Sequence, residues 1–344
     1  MNDSRLGYAC VNLELTSRPK KLGGRVTTSR TARMKTWHAA GLSLLGDLAL
    51  ANAKDLLTYL EWNNAHDIKL FRVGSELIPW HDHYEIKDLP QYEQLHEALY
   101  IAGEYARKHG IRLTTHPGPF HVLGSPNQAV ADRSVIGLER HSEMFDMMGF
   151  EPSFDNKINI HIGGAYGDHA STAERWLHTY DKLSNAAKSR VVLENDDKAS
   201  MWSVQMLYDY FHTAVGIPIT FDYFHHKFHT SDLSEEEALI LAGTTWPSDV
   251  RQCCHYSESR RDEYVLLLED AARRQGIRDI NEFEFFSDEL ARLKKIRETA
   301  HADYVIDEIQ TYGLGVDIVL EAKAKEKALL KYRDIYSKTE SLVY

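Results

Sequence analysis

The sequence predicts an α/β protein, a (β/α)8 TIM barrel formed as one domain over residues 1–344. Three observations predict it. Short apolar runs alternate with amphipathic helical stretches along the whole chain, eight strands in all, and each connection is long enough for a helix and too long for a hairpin, so the strands pair in parallel. Polar and ionisable residues collect at the C-terminal end of nearly every strand, where a closed barrel builds its site, and not at one switch point as in an open sheet. There is no G-x-G-x-x-G fingerprint after the first strand, no P-loop and no internal repeat, so no nucleotide cofactor is expected.

RLGYACVN (5–12) alternates as a first strand, and a basic segment with a Gly-Gly pair follows as a long loop. Residues 41–66 carry Leu48, Leu56, Leu57 and Leu60 at helical spacing, and IKLFRVG (68–74) is the second strand. A helix over 92–110 ends at Gly110 and leads to the strand IRLTTH (111–116). Helices over 125–149, 171–183 and 200–214 precede the strands INIH (158–161), RVVLE (190–194) and IPITFDYFHH (217–226). A short helix over 233–243 leads to a seventh strand, VRQCCHYSES (250–259), and VDIVLEAKAKE (316–326) is the eighth. Residues 260–299 are too long for a βα loop of about 2 to 6 residues and read as a helical insertion, apolar at Val265, Leu266, Leu290, Leu293 and Ile296. A closing helix and tail fill 325–344.

The chain is 43% hydrophobic and 26% charged, with a net charge of −11, which excludes a uniformly basic nucleic-acid coat but not a local one. Arg18, Lys20, Lys21, Arg25, Arg30, Arg33 and Lys35 fall in one stretch without an acid. Charge alone fits a solvated loop as well as a phosphate-binding one. No run reaches the roughly 18 to 20 apolar residues of a membrane span, and the three cysteines form no disulfide framework. A cytoplasmic protein without membrane contact is expected.

Six strand ends deliver metal-type ligands in order: His116, His161, Glu194, Asp222 with His225, His255 and Glu321. Singly, such a histidine is more often a hydrogen-bonded loop residue. Together they suit divalent zinc, manganese or iron, because strands as apolar as RVVLE and VDIVLE bury their glutamates where an unpaired charge is costly. With Glu194 shared, His116 and His161 would hold one ion, and Asp222, His255 and Glu321 a second. Two ions roughly 3.5 to 4 Å apart suit phosphodiester hydrolysis. His225, with His83 and His301 from loops, can hold a third.

LGYACVN, FRVGSELIPW, HPGPF, HIGGAYG, LENDD, FDYFHHK, HYSES, HADY and LEAKAKEKALL, in that order, resemble the UV damage endonuclease family. The resemblance implies a barrel related to endonuclease IV and a DNA repair endonuclease that cuts damaged double-stranded DNA 5′ to ultraviolet photoproducts, leaving a 3′ hydroxyl and a 5′ phosphate. It implies two or three divalent ions per chain, manganese first, with zinc, magnesium or iron as substitutes. Its ligands would be His83, His116, His161, Glu194, Asp222, His225, His255, His301 and Glu321, with Glu194, His255 and Glu321 carrying the catalysis. It places Tyr8 and Asn12 at the lesion-facing surface, beside the alternative of a packed strand tyrosine and a capping asparagine. The basic loop then becomes a DNA contact, Arg25 and Arg30 foremost. The family pattern departs at Pro119 and Phe120, where a Gln-Tyr pair is the wedge, although phenylalanine can still wedge between bases. It departs again at Cys253, where a modified lysine is expected near the metals. A monomer is expected. The rival functions are a metal-dependent sugar isomerase or epimerase on the same barrel, and a damage-binding protein without catalysis.

Overall fold

The apolar runs become eight short strands: β1 (Leu6–Ala9), β2 (Leu70–Val73), β3 (Arg112–Thr115), β4 (Ile158–Ile160), β5 (Val191–Glu194), β6 (Ile219–Thr220), β7 (Cys253–Tyr256) and β8 (Asp317–Leu320). The computed structural model describes residues 4–277, 280 and 286–340. The strands form one parallel sheet in the order β6-β5-β4-β3-β2-β1-β8-β7. Among the described residues its two ends meet through a single bridge between Asp222 and His255, with the His255 N–H donating to the Phe221 carbonyl at 2.9 Å. The expected barrel is formed, and it has one narrow seam.

Every strand residue is buried except Arg72, which is half-buried, as expected for a parallel sheet covered on its outer face by helices. β1 lies so close to β2 that a Cβ on Gly7 would sit 2.4 Å from the Leu70 carbonyl oxygen. The helix Leu42–Ala65 buries Leu45, Ala49, Ala53, Leu56 and Leu60, a stripe at three and four spacing. At the N-terminal end of the barrel Asp317 accepts from Arg112 at 2.9 Å and pairs with Arg5 at 2.7 Å. That network closes the face opposite the strand ends.

Several expected boundaries shift. Of 217–226 only Ile219–Thr220 pairs as a strand, because the Asp222 carboxylate accepts the His225 N–H at 2.8 Å and starts a helical turn, Tyr223–His226. The helix expected over 200–214 is three pieces: Val204–Leu207, a wider π-type turn Tyr208–His212, and Thr213–Val215. Between β7 and β8 stand the helices Arg260–Arg274 and Ser287–Leu293, with a small core of Leu268, Ala272, Ile280 and Phe286. Leu266, expected inside, is exposed, and residues 278, 279 and 281–285 of that stretch lie outside the described residues. The closing helix is Glu326–Glu340; residues 341–344 also lie outside. No helix among the described residues is long and apolar enough to cross a membrane.

Candidate metal centre

Parallel strands point their C-terminal residues at a common rim, and here six of them converge. His116 follows β3 and His161 follows β4, while Glu194 is the last residue of β5. His255 lies within β7 and Glu321 follows β8. Asp222 and His225 are three apart across the turn Tyr223–His226, which puts them on one side of it. After His161 the chain turns at Gly163, with φ +87°, so close to Val122 that a Cβ would lie 2.9 Å from it.

Glu194, 1% exposed, is the centre of the rim. Its Oε2 lies 3.1 Å from His116 Nε2 and 3.7 Å from His161 Nε2. Its Oε1 lies 3.1 Å from His255 Nδ1 and 3.5 Å from His225 Nδ1. Asn159 donates to Oε2 as well. Glu321 stands beside it, with Oε1 3.4 Å from His255 Nδ1 and paired with Arg72, and with Oε2 3.6 Å from His301 Nδ1. Three groups have ligand atoms within 4.8 Å of one another: His116, His161 and Glu194; Glu194, Asp222 and His225; and Asp222, His255 and Glu321. The first set expected from the strand ends is one of these groups, while the second is divided, Asp222, His255 and Glu321 lying together and Glu194 meeting Asp222 in a group with His225.

Two buried carboxylates, Glu194 and Asp222, and the half-buried Glu321 at one rim need positive charge. Burial would raise the Glu194 carboxyl, but His255 and His161 hold it well below the usual range. Asp222 is pushed up to about 7 by burial, against the pull of His225, with Glu194 and Glu321 adding to the rise. Its Oδ2 is buried with no hydrogen-bond donor among the described residues, an arrangement that costs free energy unless a cation completes it. Burial pushes His255 down to about 3 against the pull of Glu194. For His161 burial is outweighed by Glu194 and Asp196, which lift it to about 10. Imidazole and carboxylate donors with an orphaned oxygen fit a borderline divalent ion.

Residues 4–342 match the family model described as UV-endonuclease UvdE. The chain belongs to the UvdE family. It is 30% identical over 329 residues to the UV-damage endonuclease of Schizosaccharomyces pombe, covering 95% of this chain and 50% of that protein. A putative UV-damage endonuclease of Acanthamoeba polyphaga mimivirus is 28% identical, with 95% and 89% covered. The crystal structure of SacUVDE superposes with a TM-score of 0.75 at 26% identity, over 98% of this chain and 99% of that one. The chain spans about half the length of the fungal relatives, 50% and 44% of the Schizosaccharomyces and Neurospora crassa proteins.

Other residues expected of a UvdE site are placed less simply. His83 joins none of the three groups; it sits in the short turn His81–His83, its ring 5.4 Å from Trp80 and 6.3 Å from Trp37. Among the described residues His301 reaches one carboxylate, Glu321, at 3.6 Å. Tyr8 and Asn12 are fully buried and do not reach the surface. Tyr8 packs on Phe71 and donates to Asn63 at 2.7 Å, while Asn12 caps the helix Leu13–Thr16 and donates to the Tyr8 hydroxyl at 3.0 Å. The packed-tyrosine and capping-asparagine alternative describes both. Arg25 is exposed, but Arg30 is tied to Asp55 at 2.6 Å. Pro119 and Phe120 stand on an exposed loop, Phe120 at 84% exposure.

Three neighbours of the rim escaped the sequence. Arg72 was hidden inside an apolar strand, and Asp196, 3.1 Å from His161 Nδ1, inside LENDD. Lys157 is the third. Where the family pattern has lysine, Cys253 is buried, and the Lys157 amine enters from before β4 to lie 3.4 Å from His255 Nε2, held by Thr220 at 2.7 Å and Asn159 at 3.1 Å. Its alternation with Asn159 was the available signal, since both point into the barrel.

Proposed function

We propose that this chain is a DNA repair endonuclease that hydrolyses the phosphodiester 5′ to ultraviolet photoproducts and leaves a 3′ hydroxyl and a 5′ phosphate. The observation that carries the proposal is the convergence of Glu194, Asp222, Glu321 and four histidines at one rim of a UvdE-family barrel. Divalent ions held there, manganese first, would polarise the phosphodiester and lower the pKa of water. The protein's part is to hold the donors ready. Asn159 and His116 fix one oxygen of Glu194 while His255 and His225 face the other, so the carboxylate can bridge two sets of histidines. His225 and His301, rings 6.3 Å apart, are the start of a third set, which His83 would join from its loop.

Lys20, Lys21, Arg25, Arg33 and Lys35 are exposed on the connection that leaves β1 at the same end of the barrel. They would hold backbone phosphates, which position a duplex without reading it. Phe120, exposed with Pro119 before it, would enter a base step as an apolar wedge, and the unstacked dinucleotide would turn toward the rim. Arg30 would serve this loop from behind, by fixing it to Asp55.

Purified protein with Mn²⁺ should nick irradiated duplex and spare intact duplex. Glu194→Gln should lower nicking by at least a factor of about 10³ while leaving damaged-DNA binding within a few-fold, an effect of roughly 4 kcal/mol on the transition state. Undiminished nicking by that variant would overturn the mechanism, and turnover of free sugars without DNA affinity would favour an isomerase.

A further inference from the structure

We propose that Arg72 is a positioning residue that divides the two oxygens of Glu321, holding Oε1 so that the carboxylate faces the ion site with fixed geometry. The proposal rests on the metal-centre reading above. Arg72 is the one strand residue that is not fully buried, and its side chain, 12% exposed, crosses the barrel mouth from β2 to reach the end of β8. One of its terminal nitrogens pairs with Glu321 Oε1. Oε1 also lies 3.4 Å from His255 Nδ1, and Oε2 is directed at His301, 3.6 Å from its Nδ1.

A guanidinium against a ligating carboxylate can act in two opposite ways. It can compete with the ion, in which case its removal tightens ion binding. Or it can orient the carboxylate, in which case its removal loosens ion binding, as loss of a partner behind a ligand does by about 10 to 100-fold. The geometry points to the second. Glu321 has two oxygens and Arg72 pairs with one of them, so Oε2 stays available on the His301 side. Among the described residues Arg72 pairs with no carboxylate other than Glu321, and its Nε is buried without a hydrogen-bond acceptor. The contact is one terminal nitrogen on one oxygen, so it fixes where Oε1 sits and leaves Oε2 to turn toward His301.

The test is titration of metal-free protein with Mn²⁺, followed by the electron paramagnetic resonance signal of free ion, in wild type, Arg72→Met and Arg72→Lys. The expected result is that Arg72→Met loses about 10 to 100-fold in affinity at the class of sites that includes Glu321. The class containing His116 and His161 should shift less than about threefold, and Arg72→Lys should recover part of the loss. Unchanged or tighter binding in Arg72→Met overturns the proposal. If wild type binds no Mn²⁺, the metal-centre reading fails instead, which separates the two. Should Arg72→Met fail to fold, judged by circular dichroism, Arg72→Lys alone decides: a selective loosening at the class that includes Glu321 supports positioning by the guanidinium, and wild-type affinity overturns it.

Discussion

Glu194 shows how burial and charge trade at the level of one side chain. Alone in a dry strand end it would be neutral; ringed by imidazoles it stays ionised, and that is the form a divalent ion requires. Elsewhere the balance goes the other way. His81 and His141 are buried with rings 4.5 Å apart, and neither nitrogen of His141 has a partner among the described residues. Burial pushes His81 from 6.5 down to about 4 and His141 well below its ordinary value. The unfolded chain therefore binds more protons than the folded one between those values. Stability is full above pH 6.5 and falls as pH drops toward 4, by on the order of 3 kcal/mol from His81 alone. Urea midpoints measured at pH 7 and pH 5 should show this loss, and His141→Leu, which removes no hydrogen bond, should be near neutral at pH 7 and flatten the slope. An unaltered slope would contradict the account. Tyr8 and Asn12 show the limit of reading at this scale, since an alternating strand pattern tells which residues share a face and not whether that face meets solvent.

The strands were legible as elements because each is an apolar run feeding one rim, and a ligand at the end of RVVLE or INIH has little choice of direction. Segment 217–226 was less so. There the Asp222 carboxylate competes with the sheet for a backbone N–H, and a local side-chain bond overrides an apolar pattern. In the helix Arg260–Arg274 the facing was not legible, because Leu266 and Leu267 are both exposed while Leu268 is inside. The basic loop is an element whose role is electrostatic, and its test is ionic strength. Replacing Lys20, Lys21, Arg25 and Arg33 together by glutamine should lower the slope of log affinity against log salt for duplex DNA by up to roughly 3.6, and should weaken intact and damaged duplex alike. A variant with the wild-type slope would remove this loop from the DNA interface.

For the whole molecule, the barrel and the centre cannot be separated. Asp222 and His255 are both candidate ligands and the only bridge across the β6–β7 seam among the described residues. Ions at 100 times their dissociation constant should add about 2.7 kcal/mol, or about 3 to 4 °C in Tm for a chain of 344 residues. Calorimetry with Mn²⁺ and with a chelator checks the shift, and amide exchange should slow most at His255, whose N–H crosses the seam. Equal Tm values in both conditions would show that the ions do not brace the fold. The barrel is in this sense a split ring whose clasp is also its chemistry. Any ligand that prefers the ring drawn shut must tighten the hold on the ions, and the ions must tighten the hold on that ligand by the same factor. Damaged duplex and metal would then be read as mutual effectors, each measurable as a change in the other's affinity.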